Sequence, residues 1–184
     1  MYPIIRVIKE LLRARKMERL TALEAHTSYH RCWPQDIDNY LEMNNGRILS
    51  ILDIGRTGLA QRVGLIKALT QNKWGLTIAG SSLRYRKRIR PFVKFKMVSR
   101  CLGWDKRFFY IEQTIWIGED CAVQALYRSA LTDKNGIVPP ETVFAAVGYE
   151  GVSPPLPAWA QAWVDADNTR PWPPQIDQTY LRAA

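Results

Sequence analysis

Histidine, paired cysteine and long apolar runs are what this 184-residue chain has little of. Its only histidines are His26 and His30, and its three cysteines, Cys32, Cys101 and Cys121, show no CxxC spacing. Neither a disulfide framework nor a metal site is expected from that set. No histidine lies at a motif-like spacing from a cysteine, so each thiol reads as a small buried hydrophobe and not as a nucleophile. His26 and His30 flank a predicted strand and read as satisfied polar or core groups. No uninterrupted apolar stretch approaches the roughly 18 residues of a membrane span. Near the N-terminus Arg6, Lys9 and Glu10 break the apolar segment before a signal-peptide core forms. The expected location is cytoplasmic. No internal repeat is evident, and the length suits one domain with terminal extensions.

What the chain has in quantity is hydrophobe and positive charge. A hydrophobic share of 47% with 11% aromatics describes a globular protein. A formal charge of +9 implies attraction to something anionic: a phosphorylated cofactor, an acidic protein, a membrane surface or a nucleic acid. No recognised nucleic-acid motif accompanies the charge, so nucleic acid is not the expected partner. Residues 1–20 set Ile4, Ile5, Ile8, Leu11 and Leu12 at helical spacing among Arg6, Lys9, Arg13, Arg15, Lys16 and Arg19. This predicts an amphipathic basic helix within residues 1–24. Two uses stand open for it: peripheral contact with an anionic membrane, and docking of its apolar stripe onto the domain or a partner subunit.

Residues 27–33 predict a short strand ending at Trp33-Pro34, and residues 44–65 an unusually apolar helix, which other elements should wrap. Gly55, Gly58 and Gly64 predict a break or close packing near its end. Four strands follow, over 75–89, 92–102, 107–117 and 121–132, joined by short turn signals into an antiparallel meander. A last short helix is expected at 142–147, with proline at its first turn. Residues 151–184 form an extension rich in Pro and Trp, expected to pack over the domain or a neighbour without a core of its own.

Three clusters carry candidate chemistry. Asp36-Ile37-Asp38 and Asn44-Asn45 stand directly before the apolar helix, where unpaired amide donors and partial positive charge hold an acid, a carbonyl oxygen or a phosphate. By residue type the stretch is equally an ordinary turn and N-cap. Arg84, Arg86, Arg88 and Arg90 alternate along a predicted strand, giving either a row of forks for phosphate oxygens or a charged face that blocks aggregation. Asp53 and Arg56, one helical turn apart, read as an intrahelical ion pair.

Asp36-x-Asp38 with Met43-Asn44-Asn45, Asp53 and Arg56 on the helix, and Leu102-Gly103-Trp104-Asp105 before Phe108-Phe109-Tyr110-Ile111-Glu112 together resemble the hotdog-fold thioesterase-like superfamily. The likeness is nearest to the acyl-CoA thioesterase branch that contains the 4-hydroxybenzoyl-CoA thioesterases, and it covers roughly residues 25–150 together with the Pro-Pro-Leu-Pro region at 154–157. It implies an α+β hotdog fold, an antiparallel sheet wrapped around a central helix, assembled as a homodimer or homotetramer with acyl-CoA sites at the subunit interface. It further implies thioester hydrolysis with no required cofactor, coenzyme A entering as part of the substrate. The family's reactive carboxylate falls on Asp38, as general base or nucleophile, with Glu42 and Asn45 in support and Arg84, Arg86, Arg88 and Arg90 on the coenzyme A phosphates. The chain departs from the family pattern at Glu42, where many relatives carry His, and at Ile48, where an aromatic is frequent. The competing expectation is a hotdog protein that binds acyl thioesters, or scaffolds an assembly, without turnover.

Overall fold

The structure, a computed structural model, describes residues 2–175; the predicted extension's final residues, 176–184, lie outside the described residues, as does Met1. In chain order the elements are α1 (Ile4–Arg15), β1 (His26–Arg31), a 3-10 turn (Pro34–Asp36), α2 (Asn45–Arg62), α3 (Leu65–Asn72), β2 (Gly75–Tyr85), β3 (Lys94–Trp104), β4 (Phe109–Ile117), β5 (Asp120–Asp133), β6 (Gly136–Val138), α4 (Pro140–Ala146) and α5 (Ala158–Asn168). All strand pairings are antiparallel and run β1-β3-β4-β5-β2, with β6 folded back on β5. This is the expected hotdog architecture, a sheet curled around α2.

The apolar character of α2 follows from that position. Ile48, Ile51, Leu52, Ile54 and Leu59 are buried in one cluster with Met97, Ile111, Ile115 and Tyr127 of the sheet. The sheet comes so close that a Cβ on Gly55 would lie 2.7 Å from Met97 Sδ and 2.7 Å from Ser99 Oγ, and one on Gly58 would collide with the His26 ring. Both glycines therefore serve close packing. Gly64 does the other job expected of this group: its φ of +85° ends α2 and starts α3. The expected single helix to residue 65 is thus two helices.

Along β5 the period of two separates two environments. Val123, Ala125, Tyr127 and Leu131 belong to the cluster around α2. Leu126 belongs to a second cluster with Leu102, Tyr110, Ala160 and Val164, where α5 covers the outer face of the sheet. Arg128 locks α5 down, donating from Nη1 to Asp167 (2.8 Å) and from Nη2 to Asn168 Oδ1 (2.7 Å). The helix α5 was not expected from the proline-rich composition; Pro157 caps its start and the prolines before and after it fall outside it.

The arginine stripe requires a correction. The strand expected over 75–89 ends at Tyr85, because the amides of Arg86 and Lys87 both donate to Ala122 O and the two-residue period is lost. Beyond it Ile89 is buried, and its carbonyl accepts from the Met43 amide at 2.8 Å. Arg86, Arg88 and Arg90 therefore lie on an irregular segment drawn over the start of α2, and only Arg84 is on the strand. Among the described residues no helix is long and apolar enough to cross a membrane, and no group of three or more His, Cys, Asp or Glu is placed to hold a metal.

Candidate functional site

The two aspartates before α2 have separate fates. Asp36 is buried: its Oδ2 accepts from Arg6 Nη2 (2.7 Å) and the Trp33 amide (2.9 Å), and its Oδ1 lies 3.3 Å from Arg47 Nε. Asp36 thus pins α1, the entry loop and α2 to one another, a structural use of a charge that burial would otherwise make costly.

Asp38 opens a small hairpin. Its amide donates to Glu42 O (2.9 Å), its carbonyl accepts from the Leu41 amide (3.1 Å), and Ile37 pairs with Met43 across the base. The tip forces Leu41 to a φ of +57°, a left-handed conformation that a leucine adopts only at a cost. Asp38 Oδ1 accepts from the Tyr40 amide at 2.9 Å. Its Oδ2 makes no hydrogen bond among the described residues. The half-buried carboxylate lines a cavity of about 460 Å³ shared with Tyr2, Asn44, Arg47 and Ser50.

Asn44 is the N-cap of α2, its Oδ1 accepting from the amides of Gly46 (2.9 Å) and Arg47 (3.3 Å). Two amides that the sequence left free for a ligand carbonyl are therefore occupied. Asn45, the first helical residue, is exposed.

Glu42 and Asn45 face a second cavity, of about 200 Å³, with Tyr85, Arg86, Lys87 and Arg88. Glu42 Oε2 lies 3.0 Å from Arg88 Nε. The three expected catalytic residues are thus divided: Asp38 lines one cavity, while Glu42 and Asn45 line its cationic neighbour. Two of the four expected phosphate-binding arginines, Arg86 and Arg88, join them there. Arg84 points away from the core side held by Leu83, opposite Gln124 on β5, and Arg90 lines neither cavity.

A third cavity, about 60 Å³ and almost wholly apolar, lies between α2 and the sheet beside β2, lined by Leu59, Val63, Leu76, Ile78, Phe109 and Ile111 among others. Arg56 reaches its wall. It pairs with Asp53, as the helical spacing predicts, but also donates to Gln113 Oε1 (2.7 Å) and lies 3.8 Å over the Tyr127 ring. Gln113 in turn donates to Leu52 O and Ser99 Oγ. Sequence reasoning missed this buried polar network; one polar residue, Gln113, inside an otherwise apolar strand was the available signal. Tyr2 and Ser50 were missed too, since a cavity wall assembled from α1, the hairpin and α2 leaves no local pattern.

The cysteines lie apart from this chemistry as reactive groups. Burial pushes the Cys32 thiol up to about 11 and that of Cys101 to about 12, and raises that of Cys121.

A curled antiparallel sheet around a capped, buried helix, with a carboxylate hairpin at the helix entrance, defines a hotdog protein of the thioesterase-like class. A family profile described as the thioesterase-like superfamily matches residues 32–164, and the chain belongs to that superfamily. Among curated proteins it is similar to Protein THEM6 of Xenopus laevis, 33% identical over 107 residues that cover 58% of this chain and 52% of that one. Protein THEM6 of Drosophila melanogaster is 29% identical over 143 residues, covering 76% and 72%. The match with the Xenopus protein thus spans about half of that relative's length. Among solved structures, the probable thioesterase YbaW from Escherichia coli superposes with a TM-score of 0.62 at 15% identity, covering 68% of this chain and 98% of that one. A 1,4-dihydroxy-2-naphthoyl-CoA thioesterase from Synechocystis gives 0.59 at 9%, covering 67% and 95%. At such identities these structures establish the common fold.

Proposed function

We propose that the protein is an acyl-CoA thioesterase that cleaves a thioester to a carboxylate and free coenzyme A, with Asp38 as the reactive carboxylate. The observation that carries this reading is the state of Asp38: half-buried, with one oxygen held by the hairpin and the other without a hydrogen bond among the described residues, on the wall of a cavity at the entrance of α2. Held this way, it either takes a proton from the attacking water or attacks the thioester carbonyl itself to form a mixed anhydride that water cleaves. With the Gly46 and Arg47 amides committed to the cap, polarisation of the carbonyl falls to the Asn45 amide, aided by the partial positive charge of the helix start.

Glu42 takes a different part from the one its sequence position suggested. Paired with Arg88 and facing Arg86 and Lys87, it orients guanidinium groups toward the phosphates of coenzyme A. Dimerisation belongs to the same reading: β2 is a long edge strand with Leu76 and Ile78 exposed, an edge that a second copy would cover. The proposed location is the cytoplasm, which agrees with three free cysteines.

The test is release of free thiol by the purified protein from a panel of aliphatic and aromatic acyl-CoAs, with Asp38→Asn as control. Turnover that survives in Asp38→Asn removes Asp38 from the chemistry. Acyl-CoA binding without thiol release from any member supports the second reading, a binding protein without turnover, which the occupied cap amides and the Glu42–Arg88 pair favour.

A further inference from the structure

Helix α1 packs Val7 against the core and turns two charged side chains inward, leaving most of its large aliphatic side chains outside. The domain side carries Arg6, paired with buried Asp36; Glu10, 5% exposed, whose Oε1 lies 3.1 Å from His26 Nε2; and buried Ala14. The solvent side carries the isoleucines: Ile4 is 59% exposed, Ile5 84%, Ile8 51% and Leu12 56%, with Tyr2 47% exposed at the same end. The stripe that amphipathicity would place against a protein core therefore has no cover among the described residues. Around it stand Lys9, Arg13, Arg15 and Lys16, all exposed, and the helix's one carboxylate, Glu10, is turned away beneath it.

We propose that α1 is a membrane-docking face that inserts Ile4, Ile5, Ile8 and Leu12 into the headgroup region of an anionic lipid surface. Charge complementarity selects this occupant. A row of aliphatic side chains flanked by lysine and arginine matches apolar insertion combined with attraction to anionic headgroups. A second copy fits poorly, because a two-fold contact along this face would set the same cations against one another in a chain that already carries +9. Anchoring of α1 through Asp36 and His26 also leaves nothing to unfold on binding. Tyr2 lines the cavity of Asp38, so the docked face adjoins the candidate site. The inference stands whether or not Asp38 catalyses anything.

The experiment is flotation of the full-length protein with vesicles of neutral phosphatidylcholine alone and with roughly one third phosphatidylglycerol, repeated for the double variant Ile5→Glu/Ile8→Glu. The expected result is flotation with the anionic vesicles only, weakened by salt, and a loss of at least about tenfold in partitioning for the variant. Because both positions are solvent-exposed, an unchanged circular dichroism spectrum and melting temperature are expected, and Lys9→Gln/Lys16→Gln serves as a milder second variant with an intermediate loss. Absence of flotation from anionic vesicles overturns the proposal. So does a wild-type oligomer, seen by light scattering, that Ile5→Glu/Ile8→Glu dissociates, since that assigns the face to a second copy.

Discussion

Arg88 Nε stands 3.0 Å from Glu42 Oε2, tying the segment after β2 to the hairpin before α2. With Arg88 69% exposed on its side chain, the pair contributes well under 1 kcal/mol to stability. Under the proposed thioesterase function its consequence is in binding. Arg88→Ala is expected to raise the KM for acyl-CoA by about three- to tenfold with kcat within about twofold, as loss of uniform binding requires. Steady-state kinetics check this, and a fall confined to kcat would move Glu42 and Arg88 into the chemical step.

Asp38→Asn keeps an acceptor for the Tyr40 amide and so preserves the hairpin. The expected outcome is a loss of about 100-fold or more in kcat with an unchanged melting temperature. Thiol-release kinetics beside thermal unfolding separate these two effects.

Asp36, two residues earlier, gives the opposite pattern. Removing its carboxylate takes the buried counter-charge from Arg6 and one partner from Arg47, and Asp36→Ala is expected to cost about 3–5 kcal/mol, the range for a broken buried pair. Urea unfolding measures it, and retention of native stability would show that neither arginine depends on Asp36.

His30 sets a pH dependence. Burial is the main reason its pKa falls from 6.5 to about 4; Glu10 pulls it up, and Arg6 and Arg13 add to the lowering. The unfolded chain takes up this proton near 6.5 and the folded one only near 4, so the stability is fully present above pH 6.5 and is lost as pH falls toward 4. The loss should be on the order of 2 kcal/mol. Glu10, whose carboxyl burial would raise but the hydrogen bond and charge of its histidine neighbours lower overall, loses its share only below its ordinary 4.5. Urea midpoints at pH 7.5 and 5 therefore report mainly His30, and His30→Gln should flatten the difference between them.

The architecture was largely legible in residue order because it rests on local periodicity. The apolar run from Ile48 to Leu59 announced a helix buried on all sides, alternation and turn signals marked β2 to β5, and Gly55, Gly58 and Gly64 pointed to close packing and a break. The Asp36 to Asn45 stretch was recognisable as a candidate site or a cap, and in the structure Asn44 is the cap while Asp38 lines a cavity. The arginine alternation misled, because a period of two persists in a sequence even where hydrogen bonding to β5 has stopped at Tyr85.

Periodicity sets which residues share a face, since side-chain direction follows from backbone geometry alone. It does not say which face is covered. Only long-range packing decided that Asp36 is a buried pin and Asp38 a cavity wall, that Glu42 answers to Arg88 across 46 positions, and that α1 turns Glu10 inward to His26 and its isoleucines outward. Each of these outcomes depends on a partner distant in the chain, and the cost of burying an uncompensated charge makes the partner, not the local pattern, decisive.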